Sequence, residues 1–163
     1  MKRLFAPWRM EYILSEKNDC CIFCHHPATR RNKKRLILYG GPSSLVMLNR
    51  YPYTNCHLLI APRKHTNNLS KLSGGEMLEL FATLRHSVAA LKRAIKPAGF
   101  NIGMNLGRTA GAGIIGHLHL HIVPRWRGDT NFMPILAEST VLPEHLDRAY
   151  DRLAPFFSKP FKA

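Results

Sequence analysis

His117, His119 and His121 stand at every second position of "GHLHLHIVPRW", residues 116–126, with Leu118, Leu120 and Ile122 between them. In an extended chain side chains alternate, so three imidazoles share one face, with successive Cα atoms roughly 6.5 Å apart, and the apolar residues face a core. Strand positions ordinarily favour β-branched or aromatic residues, and each desolvated imidazole has polar nitrogens to satisfy. Such a row suits two chemistries. A His-x-His pair can supply two ligands of an open metal site in a metal-dependent hydrolase. A neutral imidazole, with an unperturbed pKa of ~6.5, can instead attack phosphorus.

Phosphoryl chemistry needs hydrogen-bond donors around the phosphate oxygens. "MNLGRTAGAG", just before the histidine row, offers the Asn105 amide, and Gly107, Gly111 and Gly113 let backbone N–H groups approach an anion closely. No Gly-Lys-Ser/Thr follows, so this is not a Walker A loop. Cys21 and Cys24 in "CIFC", joined by two distant histidines, would make a closed Cys₂His₂ metal site. Cys20, His25 and His26 compete by proximity, but the spacing favours Cys21 and Cys24. Four clustered cysteines do not make a disulfide framework and point to a reducing compartment.

The elements that must position these groups read as βββ, α, ββ. Strands are expected at Leu36 to Tyr39, Ser44 to Asn49 and Cys56 to Pro62, as an antiparallel meander, with two more starting at Phe100 and His117. Ser73-Gly-Gly-Glu76 has capping-box spacing, and Met77, Leu80, Phe81, Leu84, Val88 and Leu91 carry a helical stripe until Pro97. A weaker helical pattern spans Pro143 to Phe157, followed by a loose basic tail over 158–163. The fold class is α+β, an antiparallel sheet with one long helix on a face.

The chain has 163 residues, enough for a single domain over 1–163 with one core. No apolar run approaches the ~20 residues of a membrane-spanning helix. Near the start, Pro7, Arg9 and Glu11 break the apolar stretch a secretory signal needs, so the expected location is cytoplasmic. Lys and Arg number 24 against 10 Asp and Glu, a net charge of +14 that suits a polyanionic ligand without naming it.

"HLHLHIVPRW" resembles the His-φ-His-φ-His-φ-φ signature (φ apolar) of the histidine triad superfamily of nucleotide hydrolases and transferases. Together with "PWRMEYI", "CIFC", "APRKH", "MNLGRTAGAG" and "PRWRGDTNF", it is similar to the bacterial diadenosine tetraphosphate phosphorylase-like branch. The resemblance implies a dimer that cleaves dinucleoside polyphosphates with no organic cofactor. It makes His119 the nucleophile, forming a nucleotidyl-histidine that water or phosphate resolves, with a backbone carbonyl orienting its other nitrogen. His121 would contact the phosphate or bridging oxygen. A structural zinc would sit on Cys21, Cys24, His65 and His117.

By the same resemblance Asn49 would hold ribose hydroxyls; read from its own position it is a strand-ending Asn before a turn. His57 matches a recurrent family histidine and reads as a structural one. Gly113 stands where relatives often carry Gln or Ser, Ile114 where Ser or Thr is usual, and Cys56 where Gly is common. The loop backbone at Gly107, Gly111, Gly113 and Ile114 would still line the phosphates. Arg108, Arg125 and Arg127 could meet further phosphates, and Trp126 and Phe132 a base, or else a core or dimer contact. Two rivals stand beside this reading. One is a zinc-stapled nucleotide or nucleic-acid binding protein without relevant catalysis; the other is a metal-dependent hydrolase.

Overall fold

The computed structural model describes residues 21–24, 31–129, 142 and 144–158. The "PWRMEYI" segment, Cys20, His25, His26, Phe132, Pro143 and the tail from 159 lie outside the described residues. The order is β1 (Ile37–Gly40), β2 (Ser44–Leu48), β3 (Leu58–Pro62), α1 (Gly74–Ile95), β4 (Gly99–Met104), β5 (Leu120–Arg125) and α2 (Leu146–Leu153), with short 3₁₀ turns at Leu69–Lys71 and Ala154–Phe157. The strands form one antiparallel sheet ordered β1-β2-β3-β5-β4. The meander is as expected, whereas β5 inserts between β3 and β4 and leaves β4 at the edge.

The two faces of the sheet have different jobs. Val46, Leu48, Leu58, Ile60, Leu120 and Ile122 point to the helices and bury against Leu80, Leu91, Tyr150 and Leu153. Leu45, Met47, Leu59 and Ala61 point the other way, where Phe23 covers them with Cys21 and Ile114 at the margin. This second face carries His121. Because Leu118, Leu120 and Ile122 are all locked in the helix-side core, a one-residue slip would bury the imidazoles there, so the register is fixed by apolar burial.

Helix α1 starts as its sequence dictates. The Ser73 side chain accepts from Glu76 N–H while the Glu76 carboxylate accepts from Ser73 N–H, and Lys96 ends the helix in a left-handed conformation before Pro97. Its buried stripe differs from the apolar count: Phe81 is 56% exposed, and Thr83 and Ser87 are buried instead. The reason is a polar seam with β2, in which Ser44 Oγ donates to Glu79 at 3.0 Å and lies 2.8 Å from Thr83 Oγ1. Periodicity of apolar residues cannot register such a seam. Helix α2 is tied to the sheet by Tyr150, whose hydroxyl donates to the Ile37 carbonyl at 2.9 Å, and by Glu144, which accepts from Asn55 and pairs with Arg152.

Several strand ends depart from expectation; β1 is shifted by one residue at both ends and β4 starts one residue early, at Gly99. β2 stops at Leu48, where Asn49 turns into the bend that follows. β3 begins only at Leu58 because Cys56 adopts φ 59°, a left-handed value that favours glycine. β5 begins at Leu120, three residues later than expected. The ladder with β3 ends at Ile60↔Leu120, after which Leu118 N–H bonds to the Thr66 carbonyl and the Pro62 carbonyl is taken by the His117 ring. His117 and His119 therefore sit just off the sheet, on the segment that leads into β5.

Candidate active site

Each histidine of the row is oriented by a different partner. His117 donates from Nε2 to the Pro62 carbonyl at 2.7 Å, since a carbonyl only accepts. Its Nδ1 thus keeps a lone pair, and that atom lies 3.3 Å from Cys21 Sγ and 3.5 Å from Cys24 Sγ. His65 Nδ1 is 3.0 Å from Cys24 Sγ. The four candidate ligand atoms of Cys21, Cys24, His65 and His117 all fall within 4.8 Å of one another.

Metal–sulfur bonds of ~2.3 Å and metal–nitrogen bonds of ~2.0 Å in a tetrahedron place ligand atoms roughly 3.3–3.8 Å apart, so small adjustments would close this set around one ion. Two soft sulfurs and two imidazoles suit zinc-like cations, and four protein donors complete the tetrahedron. The Pro62 carbonyl on the far nitrogen of His117 is the outer support that metal-binding histidines usually have. Without a cation, burial and then the neighbouring Cys21 push the Cys24 thiol up to about 11. A bound cation would reverse that preference.

His119 is buried at 4% exposure, and its Nδ1–H donates to the His117 carbonyl at 2.9 Å. That bond leaves Nε2 with its lone pair, as a nucleophile requires. Phe23, inside the Cys-x-x-Cys segment, lies with its ring 5.1 Å from His117 and 5.3 Å from His119, excluding water from both. His121 follows, its ring 5.0 Å from that of His119, with Nδ1 3.0 Å from His57 Nε2. Its other nitrogen, Nε2, is buried without a hydrogen-bond partner among the described residues.

His57 is fully buried and belongs to this constellation rather than to the core alone. Tyr53 stacks at 4.9 Å on His57 and at 6.0 Å on His121. Neither His57 nor Tyr53 was singled out for the chemistry from sequence; the signal was the position of His57 immediately before the strand that pairs with the histidine strand. A cleft of about 190 Å³ opens beside these rings, lined by Tyr53, Asn101, Gly103, Asn105 and His121 among others.

The remaining expected residues fall as follows. Asn49 Oδ1 accepts from Tyr51 N–H at 3.0 Å and its Nδ2 lies 3.3 Å from His57 Nδ1, so its amide is engaged at both ends. Asn105 Nδ2 donates to the Gly111 carbonyl at 3.3 Å, bracing a loop in which Gly107 and Gly111 both take φ 85°. Gly113 lacks that requirement, and a Cβ there would meet nothing within 4 Å. Ile114 packs its side chain toward the Phe23 cluster, which leaves only backbone for a ligand. Arg125 is committed: it grips both Asp129 oxygens at 2.6 and 2.9 Å and donates to Asn101 at 2.8 Å. Arg108 and Arg127 are exposed, and Trp126 is half-buried.

Burial, then the neighbouring His121 and His119, lowers His57 to about 3, and burial, then His119, lowers His121 to about 4. Both are neutral in the native protein at pH 7, whereas in the unfolded chain they titrate near ~6.5. Between about pH 6.5 and 4 the unfolded chain binds more protons, so their contribution to stability is complete above that window and shrinks as pH falls through it. Urea midpoints should drop between pH 7 and pH 4.5, and His57→Gln should flatten the drop. An equal drop in the variant would show that these histidines are not the titrating groups.

The HIT domain profile matches residues 30–128. A Mycobacterium tuberculosis protein named AP-4-A phosphorylase is 34% identical over 155 residues, 90% of this chain and 79% of that protein. The asymmetrical bis(5′-nucleosyl)-tetraphosphatase of Schizosaccharomyces pombe is 25% identical over 74% of this chain and 63% of its own length. The fold is also that of a zinc-bound histidine triad family protein from Mycobacterium smegmatis, with a TM-score of 0.61 at 24% identity over 82% of this chain and 86% of that one. The profile covers the histidine row, the glycine loop and the strands that hold them, and on that ground the chain belongs to the HIT domain family.

Proposed function

We propose that this protein cleaves dinucleoside polyphosphates by nucleotidyl transfer to His119, followed by transfer to inorganic phosphate or water. The observation that carries the reading is the His119 Nδ1–H bond to the His117 carbonyl, which leaves the Nε2 lone pair of this buried ring available for attack. His119 attacks the α-phosphorus, and the electron pair of the breaking P–O bond stays on the departing phosphate oxygen. Asn105 and the backbone of Gly107, Gly111, Gly113 and Ile114 donate to the phosphate oxygens, and His121 lies beside the bridging oxygen. Asn49 meets the ribose through whichever amide atoms its turn leaves free.

The names of the M. tuberculosis and S. pombe relatives support a dinucleoside polyphosphate substrate. The convergence of His117 Nδ1 on Cys21 and Cys24, in a cluster that does not include His119, argues against a His-x-His metal hydrolase. Zinc on Cys21, Cys24, His65 and His117 would tie the Cys-x-x-Cys segment to the catalytic one and fix the His117 backbone. We further propose a cytoplasmic homodimer formed along β4, whose outer edge pairs with no other strand among the described residues and where Ile102 is 45% exposed.

Incubating the protein with diadenosine tetraphosphate, with and without phosphate, and resolving the products tests the activity. ADP plus ATP only with phosphate means phosphorolysis; AMP plus ATP without it means hydrolysis. His119→Ala should abolish either, by a factor of at least about 10⁴, with an unchanged melting curve; undiminished turnover contradicts the mechanism. Absence of turnover together with salt-sensitive binding to nucleic acid would favour the binding protein instead.

Metal analysis should find one zinc per chain, lost in Cys24→Ser. Stripping it should lower the melting temperature while the fraction still folded keeps its turnover. Immediate loss of turnover in folded, metal-free protein would make the metal catalytic.

A further inference from the structure

The turn that leads into β1 gathers cations that the proposed chemistry does not use. Asn32 and Ile37 face one another in an antiparallel bridge, Asn32 N–H donating to the Ile37 carbonyl at 2.9 Å and Ile37 N–H to the Asn32 carbonyl at 2.8 Å. Between them Leu36 N–H donates to the Lys33 carbonyl at 2.9 Å, and Arg35 N–H to Asn32 Oδ1 at 3.1 Å. Leu36 is buried in the helix-side core, which pins the turn to the sheet and leaves Lys33, Lys34 and Arg35 exposed at its tip.

Neighbouring elements brace the turn and add to its charge. Lys33 pairs with Asp151 of α2 at 2.6 Å, and Arg31 donates to the Ala154 carbonyl at 2.9 Å. From the other side Arg50, in the bend after β2, donates to the Lys34 carbonyl at 3.5 Å. Neither Lys34 nor Arg50 has an ion pair among the described residues. Like charges crowded in this way repel, so the fold itself gains nothing from the grouping, whereas a polyanion that neutralises them releases its counterions. The turn lies at the β1 side of the sheet, which β2 and β3 separate from the histidine strand.

Independently of the catalytic reading, we infer that this patch, together with Tyr51, binds single-stranded nucleic acid. Lys34, Arg35 and Arg50 meet phosphates along the strand, and Tyr51, which follows Arg50 and is 43% exposed, offers a ring on which a base stacks. The guanidinium planes of Arg35 and Arg50 suit phosphates and bases alike. An anionic bilayer would meet the same charges, but helices and loops that lie on membranes add apolar side chains that enter the headgroup region. The aliphatic residue of this turn, Leu36, is buried instead.

Fluorescence polarisation with a labelled oligouridylate of about 20 nucleotides tests the assignment. Wild type should bind with an affinity that falls as salt rises, by about 0.7 in log K per log unit of salt for each phosphate contacted. The variant Lys34→Gln/Arg35→Gln/Arg50→Gln should bind at least about tenfold more weakly at low salt and lower that slope by about 2. Lys64→Gln/Lys71→Gln/Arg85→Gln, which removes the same charge from beyond the other end of β3 and from α1, should change affinity by less than about threefold. Tyr51→Ala should cost about fivefold or more, and Tyr51→Phe should restore the loss. Excess AMP should not displace the strand.

Equal losses in the two triple variants would make the effect one of net charge and overturn the patch. Displacement by AMP would put the strand in the histidine cleft and overturn it as well. Full affinity in Tyr51→Ala overturns the stacking. Binding to phosphatidylserine vesicles but not to the oligonucleotide, lost in the first triple variant, overturns nucleic acid in favour of a membrane surface. Polarisation reads binding alone, so a protein inactive on dinucleoside polyphosphates leaves the test intact.

Discussion

The bond from His119 Nδ1–H to the carbonyl of His117 is the constraint around which the site is organised. It spans only two residues, so it depends on the backbone between them staying free of the β-ladder. The chain leaves the sheet there because the ladder has ended at Leu120, Leu118 N–H has turned to Thr66, and the Pro62 carbonyl has been claimed by the His117 ring. Were His117 to Leu120 paired along β3, the carbonyl that orients the nucleophile would be spent on a strand hydrogen bond. A small loss of regular structure thus frees the acceptor that sets the imidazole's tautomer.

The rest of the structure holds that geometry in place from two sides. On the helix side, Leu118, Leu120 and Ile122 are buried among Leu58, Ile60 and Leu91, which keeps all three histidines turned away from the core. On the other side, Phe23 lies against His117 and His119, so the Cys-x-x-Cys segment contributes packing as well as ligands. An ion on Cys21, Cys24, His65 and His117 would strengthen a link that hydrogen bonds already sketch. Its effect would reach His119 through the His117 backbone, with no contact between the metal and the reacting atoms.

Much of this was legible in the sequence, for physical reasons that can be named. Alternation placed the imidazoles opposite the leucines, the capping box located the start of α1, and the Cys-x-x-Cys spacing together with the family resemblance picked out four residues that do converge. Less legible were features that depend on tertiary partners. Phe81 fits a helical stripe yet is exposed, because the buried face instead carries Thr83, which meets Ser44, and Ser87, whose hydroxyl donates to the Thr83 carbonyl. His57 looked structural because its partner is 64 residues away, and only the β3–β5 register brings the two rings together. Arg125 looked available to phosphate until Asp129 was found to hold both arms of its guanidinium.

The most direct test of the central claim is to trap the intermediate. Rapid mixing with diadenosine tetraphosphate, quenching under conditions that preserve N–P bonds, and mass spectrometry of the peptide containing residues 117–125 would locate any nucleotidyl group. The account predicts a transient adduct of one nucleotidyl group on His119, forming and decaying at rates compatible with turnover. Turnover with no such adduct, or with the nucleotidyl group on His121 or His57, would contradict it.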